Sequence, residues 1–322
     1  MSVLIIGGAG FIGSHLQEAL LKEGFGDIIV FDTLDRNSLK YTDLKPLLYS
    51  GDVRNRELLE QMIVKHRPEV VFNLASMTGI ERVDADPINC MDINFNGTKN
   101  VCELALRYGV RKVIHFSSSE VYGECHSVSE EDETRLGAAG DPRWTYSASK
   151  IAADHLVSAY ASRGGLNACI VRPFNIFGPR QTGHGAISHF IAWSLDGLPI
   201  KVYGDGAQVR SWCIVYDLAR AVIQVLRRDL RGVINIGDPY TPLTINDLAE
   251  MVVSFCGSES EIRHVPKRPV DIMYRVPNIE RAQKLLDWRP VWNFEDSLKH
   301  TVEWYRSIDY HKEEWRSSFN DN

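Results

Sequence analysis

The sequence predicts an α/β protein built on a doubly wound parallel sheet, with a smaller, interleaved C-terminal part. Three observations carry this expectation. Short β-branched runs alternate with longer amphipathic segments through the first half of the chain, a glycine-rich turn follows the first run, and the alternation breaks after Pro173. Runs that are apolar at every position read as strands buried on both faces, and helices between them imply parallel pairing through right-handed crossovers.

The first strand is Val3-Leu4-Ile5-Ile6, and a segment with helical apolar spacing runs from Phe11 to Glu23. Ile28 to Asp32, Val70 to Leu74, Lys112 to Phe116 and Ala168 to Val171 read as further buried strands. Beyond Pro173, Phe174 to Gly185 is loop-rich, Ala186 to Leu195 is helix-like, and a Gly/Pro-punctuated run continues through Gly206. Val233 to Ile236 again reads as a buried strand, whereas Ile245 to Phe255 and Ile279 to Leu286 read as helices of the smaller part. We therefore assign residues 1–173 to a nucleotide-binding domain, with 207–237 returning to it, and 174–322 mainly to substrate binding. The polar segment from Tyr310 to Asn322 is expected to form a loosely held tail.

Composition bounds the function. With 322 residues, 44% of them hydrophobic, the chain can bury a full core. A net charge of −6 argues against nucleic acid as a partner, since neutralising phosphates needs a basic surface. No run approaches eighteen apolar residues, so no membrane span is expected, and the N-terminus lacks the features of a signal peptide, which predicts a cytoplasmic protein. Six scattered cysteines without paired spacing point to reduced, packing thiols and to no metal site.

Gly7-Gly8-Ala9-Gly10-Phe11-Ile12-Gly13 sits between the first strand and the first helix. In that context Gly7, Gly10 and Gly13 allow a tight turn, and the backbone N–H groups around Phe11 and Ile12 face a pyrophosphate at the positive end of the helix. This is a Rossmann-type dinucleotide fingerprint. Asp32 ends the second strand, where a carboxylate accepts hydrogen bonds from an adenosine ribose and repels an added phosphate, favouring NAD over NADP; Arg36 stands close in sequence. Asp52 and Val53 are placed to border the adenine, and Leu74, Ala75 and Ser76 end a strand at the ligand edge of the sheet.

Tyr146 and Lys150 stand four apart at the start of an apolar-periodic segment, one helical turn from each other on one face. An ammonium there lowers the phenol's pKa and positions a nicotinamide ribose, so that a tyrosinate can take a hydroxyl proton as hydride leaves the carbon. The pair is preceded by Ser117-Ser118-Ser119-Glu120-Val121-Tyr122-Gly123 at a strand end.

With these motifs the chain resembles the extended short-chain dehydrogenase/reductases, within them the NAD-dependent nucleotide-sugar epimerases, dehydratases and decarboxylases. Further matching pieces are Asn94-Phe95-Asn96-Gly97-Thr98, Arg172-Pro173-Phe174-Asn175, Gly178-Pro179-Arg180 and Tyr203-Gly204-Asp205-Gly206 leading to Arg210. The resemblance implies tightly bound NAD, transient oxidation of a sugar at C4, and return of the hydride. It adds Asn94, Ser117 and Pro173 to the expected cofactor contacts. It also implies that Ser118 bonds the C4 oxygen, that Tyr146 is the base, and that Asn175, Arg180, Arg210 and Arg275 bind the nucleotide-diphosphate sugar. Relatives commonly pair through two helices, here Asn94 to Tyr108 and Tyr146 to Tyr160, so a homodimer is expected.

Glu120 bears on the fate of the oxidised sugar. Dehydratases and decarboxylases commonly carry Glu there, able to move a proton at C5, but dehydratases of the thymidine-diphosphoglucose type precede it with an Asp acid, where this chain has Ser119. The Ser-Ser-Glu arrangement with Arg143-Trp144 ahead of Tyr146 is similar to UDP-glucuronate decarboxylases, with Arg143 or Arg210 holding the carboxylate. The alternatives are a 4-epimerase or 4,6-dehydratase and, more remotely, a non-catalytic NAD-binding scaffold, for which the full set Tyr146, Lys150, Ser118 and Glu120 would be unneeded.

Overall fold

A computed structural model describes residues 1–124, 128–183, 185–267 and 271–308; Cys125, His184 and the Tyr310–Asn322 tail lie outside the described residues. The N-terminal half alternates as the sequence predicts: β1 (Ser2–Ile6), α1 (Phe11–Lys22), β2 (Asp27–Asp32), β3 (Leu47–Ser50), α2 (Arg56–His66), β4 (Val70–Asn73), the short α3 (Ile80–Ala85) and α4 (Pro87–Met91), α5 (Gly97–Arg107), β5 (Lys112–Phe116), α6 (Thr145–Gly164) and β6 (Ala168–Pro173). The C-terminal half contributes β7 (Ile176–Phe177), α7 (Ala186–Leu195), β8 (Ile200–Tyr203), β9 (Val209–Arg210), β10 (Cys213–Ile214), α8 (Val215–Arg227), β11 (Gly232–Ile236), β12 (Leu243–Thr244), α9 (Ile245–Cys256), β13 (Ile262–Val265), β14 (Tyr274–Arg275), α10 (Glu280–Leu286) and α11 (Phe294–Ser307).

Seven parallel strands form one sheet in the order β11-β6-β5-β4-β1-β2-β3. Central strands such as Val70–Asn73 are buried at every residue, which is why their sequences are apolar throughout. One face packs Leu16 and Leu20 of α1, Leu218 and Val222 of α8 and Leu286 of α10; the other packs Leu59 of α2, Val101 of α5 and Val157 of α6. The chain order reverses between β1 and β4, and in such sheets the crevice at the carboxyl ends of those two strands is where ligands bind.

A separate core gathers Ile191 of α7, Val202 of β8, Leu248 and Val252 of α9 and Leu298 of α11. The two halves interleave, since β11 pairs with β6 while β9 pairs with β12 and β14 in the smaller part. No described helix is long and apolar enough to cross a membrane.

Candidate active site

The turn after β1 is shaped by main-chain constraints. Gly7 has φ +77°, its N–H donates to Phe31 O at 2.8 Å, and a Cβ there would lie 2.6 Å from the backbone N of Ala75. Gly10 caps α1 without any side-chain hydrogen bond, leaving the helix's first N–H groups open to the cleft. A Cβ on Gly10 would meet nothing nearer than Gly7 O at 3.5 Å, so the protein tolerates it and the cost would fall on whatever occupies the cradle. Such an open, positive helix end suits a pyrophosphate.

This cradle is one end of a chamber of about 560 Å³, walled by Gly7, Gly10, Phe11, Ile12, Gly13, Asp32, Asp52, Val53, Leu74, Ala75, Ser76, Ser117, Ser118, Ser119, Tyr146, Lys150, Pro173 and Asn175. Asp32 Oδ2 accepts from Ala9 N at 2.9 Å and Oδ1 from Leu34 N at 2.8 Å. Burial pushes its carboxyl above the usual range, against the pull of those two N–H groups. Asp52 is held by Arg54, whose Nη2 lies 2.6 Å from Oδ2 and whose hydrogen bonds keep this carboxyl low. Asn94 does not reach the wall. It stands behind it, accepting from Met77 N at 2.9 Å and donating to Ser149 Oγ at 2.9 Å, which in turn bonds Tyr146 O. Thus Asn94 braces the catalytic helix from the side.

A second chamber of about 460 Å³ opens next to the first and is walled by Glu120, Arg143, Tyr146, Asn175, Tyr203, Arg210, Trp212 and Asp271 among others. The two share Thr78, Glu120, Tyr146, Asn175, Ile176 and Gln181. Tyr146 therefore stands at the junction, facing both compartments.

Around it, Lys150 is buried, donates to Phe116 O at 2.8 Å and has its Nζ 6.0 Å from the Tyr146 ring centroid. Burial lowers the ammonium to about 8, although Asp154 and Cys90 pull the other way. The phenol departs from the expectation that Lys150 depresses it: burial raises Tyr146 to about 12, and the neighbouring Ser118, Thr78 and Ser76 hydroxyls offset this only in part. Desolvation is the larger influence on the phenol, with the ammonium over the ring rather than bonded to the hydroxyl.

Glu120 follows Ser118, which caps the short turn Ser119–Tyr122 through its side chain, and Oε2 pairs with Arg143 Nη2 at 2.7 Å. Burial alone would raise this carboxyl, but Arg143, Arg275 and Arg210 hold it below the ordinary value. Ser119 is buried within that turn. Arg210 pairs with Asp271 at 3.2 Å and faces the second chamber, and Asn175, at φ +40°, donates to Ser211 O at 2.9 Å while lining both chambers.

Two arginines expected at the substrate are spent elsewhere. Arg180 grips Glu18 of α1 with two bonds of 2.8 Å and donates to His15 at 3.3 Å; it lines neither chamber. Arg275 is fully buried and donates to the carbonyls of Ser119 and Gly123, supporting the Glu120 turn from beneath. In each case a backbone or carboxylate partner remote in sequence claims the guanidinium. Conversely, sequence reasoning missed Thr78, Gln181 and Asp271, which belong to no motif, and left Arg36 in doubt; Arg36 and Arg82 both line the cofactor chamber, and burial lowers Arg36 to about 10.

The fold and this junction define a Tyr-Lys dehydrogenase-type site with a glycine-cradled chamber on one side and a chamber carrying paired charges among apolar side chains on the other. The model of the NAD dependent epimerase/dehydratase family matches residues 3–237, and the chain belongs to that family. It is similar to a UDP-N-acetyl-alpha-D-glucosaminuronate decarboxylase of Bacillus cytotoxicus, 35% identical over 95% of this chain and 98% of that protein. A UDP-glucuronate 4-epimerase of Thermodesulfobacterium geofontis is 31% identical over 94% and 95%. Among solved structures, the dTDP-glucose 4,6-dehydratase DesIV of Streptomyces venezuelae, with NAD bound, aligns at TM-score 0.89 and 30% identity over 98% of this chain and all of that one. The protein is accordingly an enzyme of the nucleotide-sugar epimerase, dehydratase and decarboxylase class, and its cofactor is NAD.

Proposed function

We propose that the enzyme oxidises a UDP-hexuronate at C4 and then releases the C6 carboxylate as carbon dioxide. The observation that carries this reading is the Arg143–Glu120 pair beside Tyr146, with Arg210 in the same chamber: two guanidinium groups, paired with Glu120 and Asp271, that a sugar carboxylate next to the base could engage by exchanging partners. The decarboxylase name of a relative 35% identical supports the same substrate class.

Gly7, Gly10, Gly13 and Asp32 would hold NAD, which when bound would supply a hydride acceptor and donor for C4. The other steps fall to the chain's own side chains. Tyr146 takes the C4 hydroxyl proton while Ser118 holds the oxygen, and the buried Lys150 ammonium near the Tyr146 ring favours the phenolate electrostatically. The ketone at C4 makes the C6 carboxylate a β-keto acid; its C–C bond breaks, carbon dioxide leaves, and the electron pair moves onto the ketone oxygen as an enolate. Glu120 delivers a proton to C5, the ketone is reduced, and Tyr146 gives back its proton, so one proton is taken up per turnover. Because Glu120 is ionised while paired with Arg143, a substrate carboxylate competing for Arg143 would free Glu120 to take up that proton.

Ser119, buried in its turn and without an acidic group, gives dehydration no general acid at this position. Epimerisation of a uronate shares every step up to the ketone, and a 31% identical relative carries that name. Incubating the protein and NAD with UDP-glucuronate and UDP-N-acetylglucosaminuronate and following product mass separates them: loss of carbon dioxide supports the proposal, whereas unchanged mass with altered retention supports epimerisation. We also propose a homodimer through α5 and α6, with Leu106 and Tyr108 exposed at the C-terminal end of α5; sedimentation as a monomer would remove that reading.

A further inference from the structure

Beneath the catalytic pair lies a buried polar cluster that the reaction as described does not use. Asp154 follows Lys150 by one turn of α6 and is 4% exposed. Its Oδ2 accepts from Arg172 Nε at 3.0 Å and Nη2 at 2.9 Å. Arg172 Nη1 donates to the Tyr122 hydroxyl at 2.9 Å, and that hydroxyl donates to Asn235 Oδ1 at 2.7 Å. The cluster thereby joins α6, β6, β11 and the turn that carries Ser118 and Glu120.

An ion pair of this kind is expensive to bury, and hydrophobic residues of similar volume often serve stability as well or better. Stability alone therefore leaves one detail unexplained. Asp154 Oδ1 and the neighbouring Ser117 Oγ are both buried without completing a hydrogen bond at normal distance, although leaving a buried acceptor unsatisfied is costly. The remaining charged neighbour of this carboxylate is the Lys150 ammonium.

We propose that Asp154, clamped by Arg172, is the positioning residue for Lys150: its carboxylate keeps the ammonium charged inside a desolvated site. The groups facing Lys150 are Tyr146 and Asp154 from its own helix, Cys90 from α4, and His115 with the Phe116 carbonyl from β5. Burial holds Cys90 protonated and His115 neutral, so Asp154 is the carboxylate that acts on the ammonium among them. Burial raises the Asp154 carboxyl above its ordinary range; Arg172 opposes that shift, holding the carboxylate ionised and moderating its field.

The test is the titration of Lys150 in the intact protein without substrate, followed by NMR of lysine labelled at Cε, the Lys150 signal being the one lost in Lys150→Met. In Asp154→Asn the midpoint is expected to fall by about one pH unit or more, the order of shift a nearby opposite charge produces. Arg172→Gln, which keeps the carboxylate and removes its counter-cation, should raise the midpoint, and Asp154→Glu should restore most of the parental value. A structural role alone lowers the melting temperature and leaves the midpoint in place. If whichever of Asp154→Asn and Arg172→Gln folds shows the parental midpoint, the proposal is overturned.

Discussion

The two chambers that meet at Tyr146 are built from different materials. The cofactor side takes its shape from main-chain features: the positive φ of Gly7, the uncapped start of α1 at Gly10, and the strand ends at Asp32 and Leu74–Ser76. The substrate side carries two ion pairs of long side chains on an otherwise largely apolar wall, Arg143 with Glu120 and Arg210 with Asp271, whose members come from distant parts of the chain. Main-chain geometry is dictated by local residue type, so evolution can change it little without losing the cradle. Side-chain pairs can be exchanged, which leaves the outcome of the reaction to be set by that half.

The same contrast explains why some of the site was legible in the sequence and some was not. Gly7 to Gly13, Asp32 and the Tyr146/Lys150 spacing are local signals, and the structure brings them to one cleft. Arg180, within Gly178-Pro179-Arg180, and Arg275 were both assigned to the substrate through the family resemblance, yet Glu18 and the Ser119 and Gly123 carbonyls hold them away from the substrate chamber. A guanidinium's partner is a tertiary fact with no periodicity behind it. Thr78 was invisible for the same reason, since a hydroxyl in a loop gains meaning only when the fold sets it beside Tyr146.

Breaking the junction itself should have the largest effect. Tyr146→Phe removes the base shared by both chambers and should lower the rate of C4 oxidation by about 10³-fold, within the range for general acid–base groups, with NAD affinity unchanged; single-turnover absorbance of the reduced cofactor and a binding titration check the two halves separately. On the cofactor side, Gly7→Ala forces a side chain into positive φ against Ala75 at a cost of about 1–3 kcal/mol, so NAD binding should weaken by about tenfold to a hundredfold.

On the substrate side, Arg143→Gln should act on one chamber only. The expected result is a KM for a UDP-uronate raised about tenfold or more, with NAD affinity as in the parent, since one partner of a charge-assisted pair is lost. Equal loss for neutral and anionic sugars would erase the distinction between the halves.

Acidity offers a finer probe, because activity and stability should move in opposite directions. Lys150 titrates near 8 in the folded protein, below its ordinary 10.5. Its protonation therefore works against the fold: between these values the unfolded chain binds more protons, and stability rises with pH. Oxidation needs the charged form, so its rate should fall above about pH 8 while the contribution of this group to the melting temperature increases. A rate that climbs steadily to pH 10 would contradict the role given to the ammonium.

The smallest effect is expected at Arg180. Arg180→Ala breaks a clamp whose carboxylate partner is partly exposed, so about 1–2 kcal/mol of stability should be lost, equivalent to a few degrees in Tm. KM for the sugar nucleotide should change by less than threefold; a large rise would return Arg180 to the substrate side.

The central claim, oxidation at C4 followed by loss of C6, is tested most directly with UDP-glucuronate deuterated at C4. If the account holds, the enzyme releases carbon dioxide, the pentose product retains deuterium at C4, and its new hydrogen at C5 comes from solvent. A product that keeps its carboxylate, or one decarboxylated with the C4 label lost to water, would contradict it.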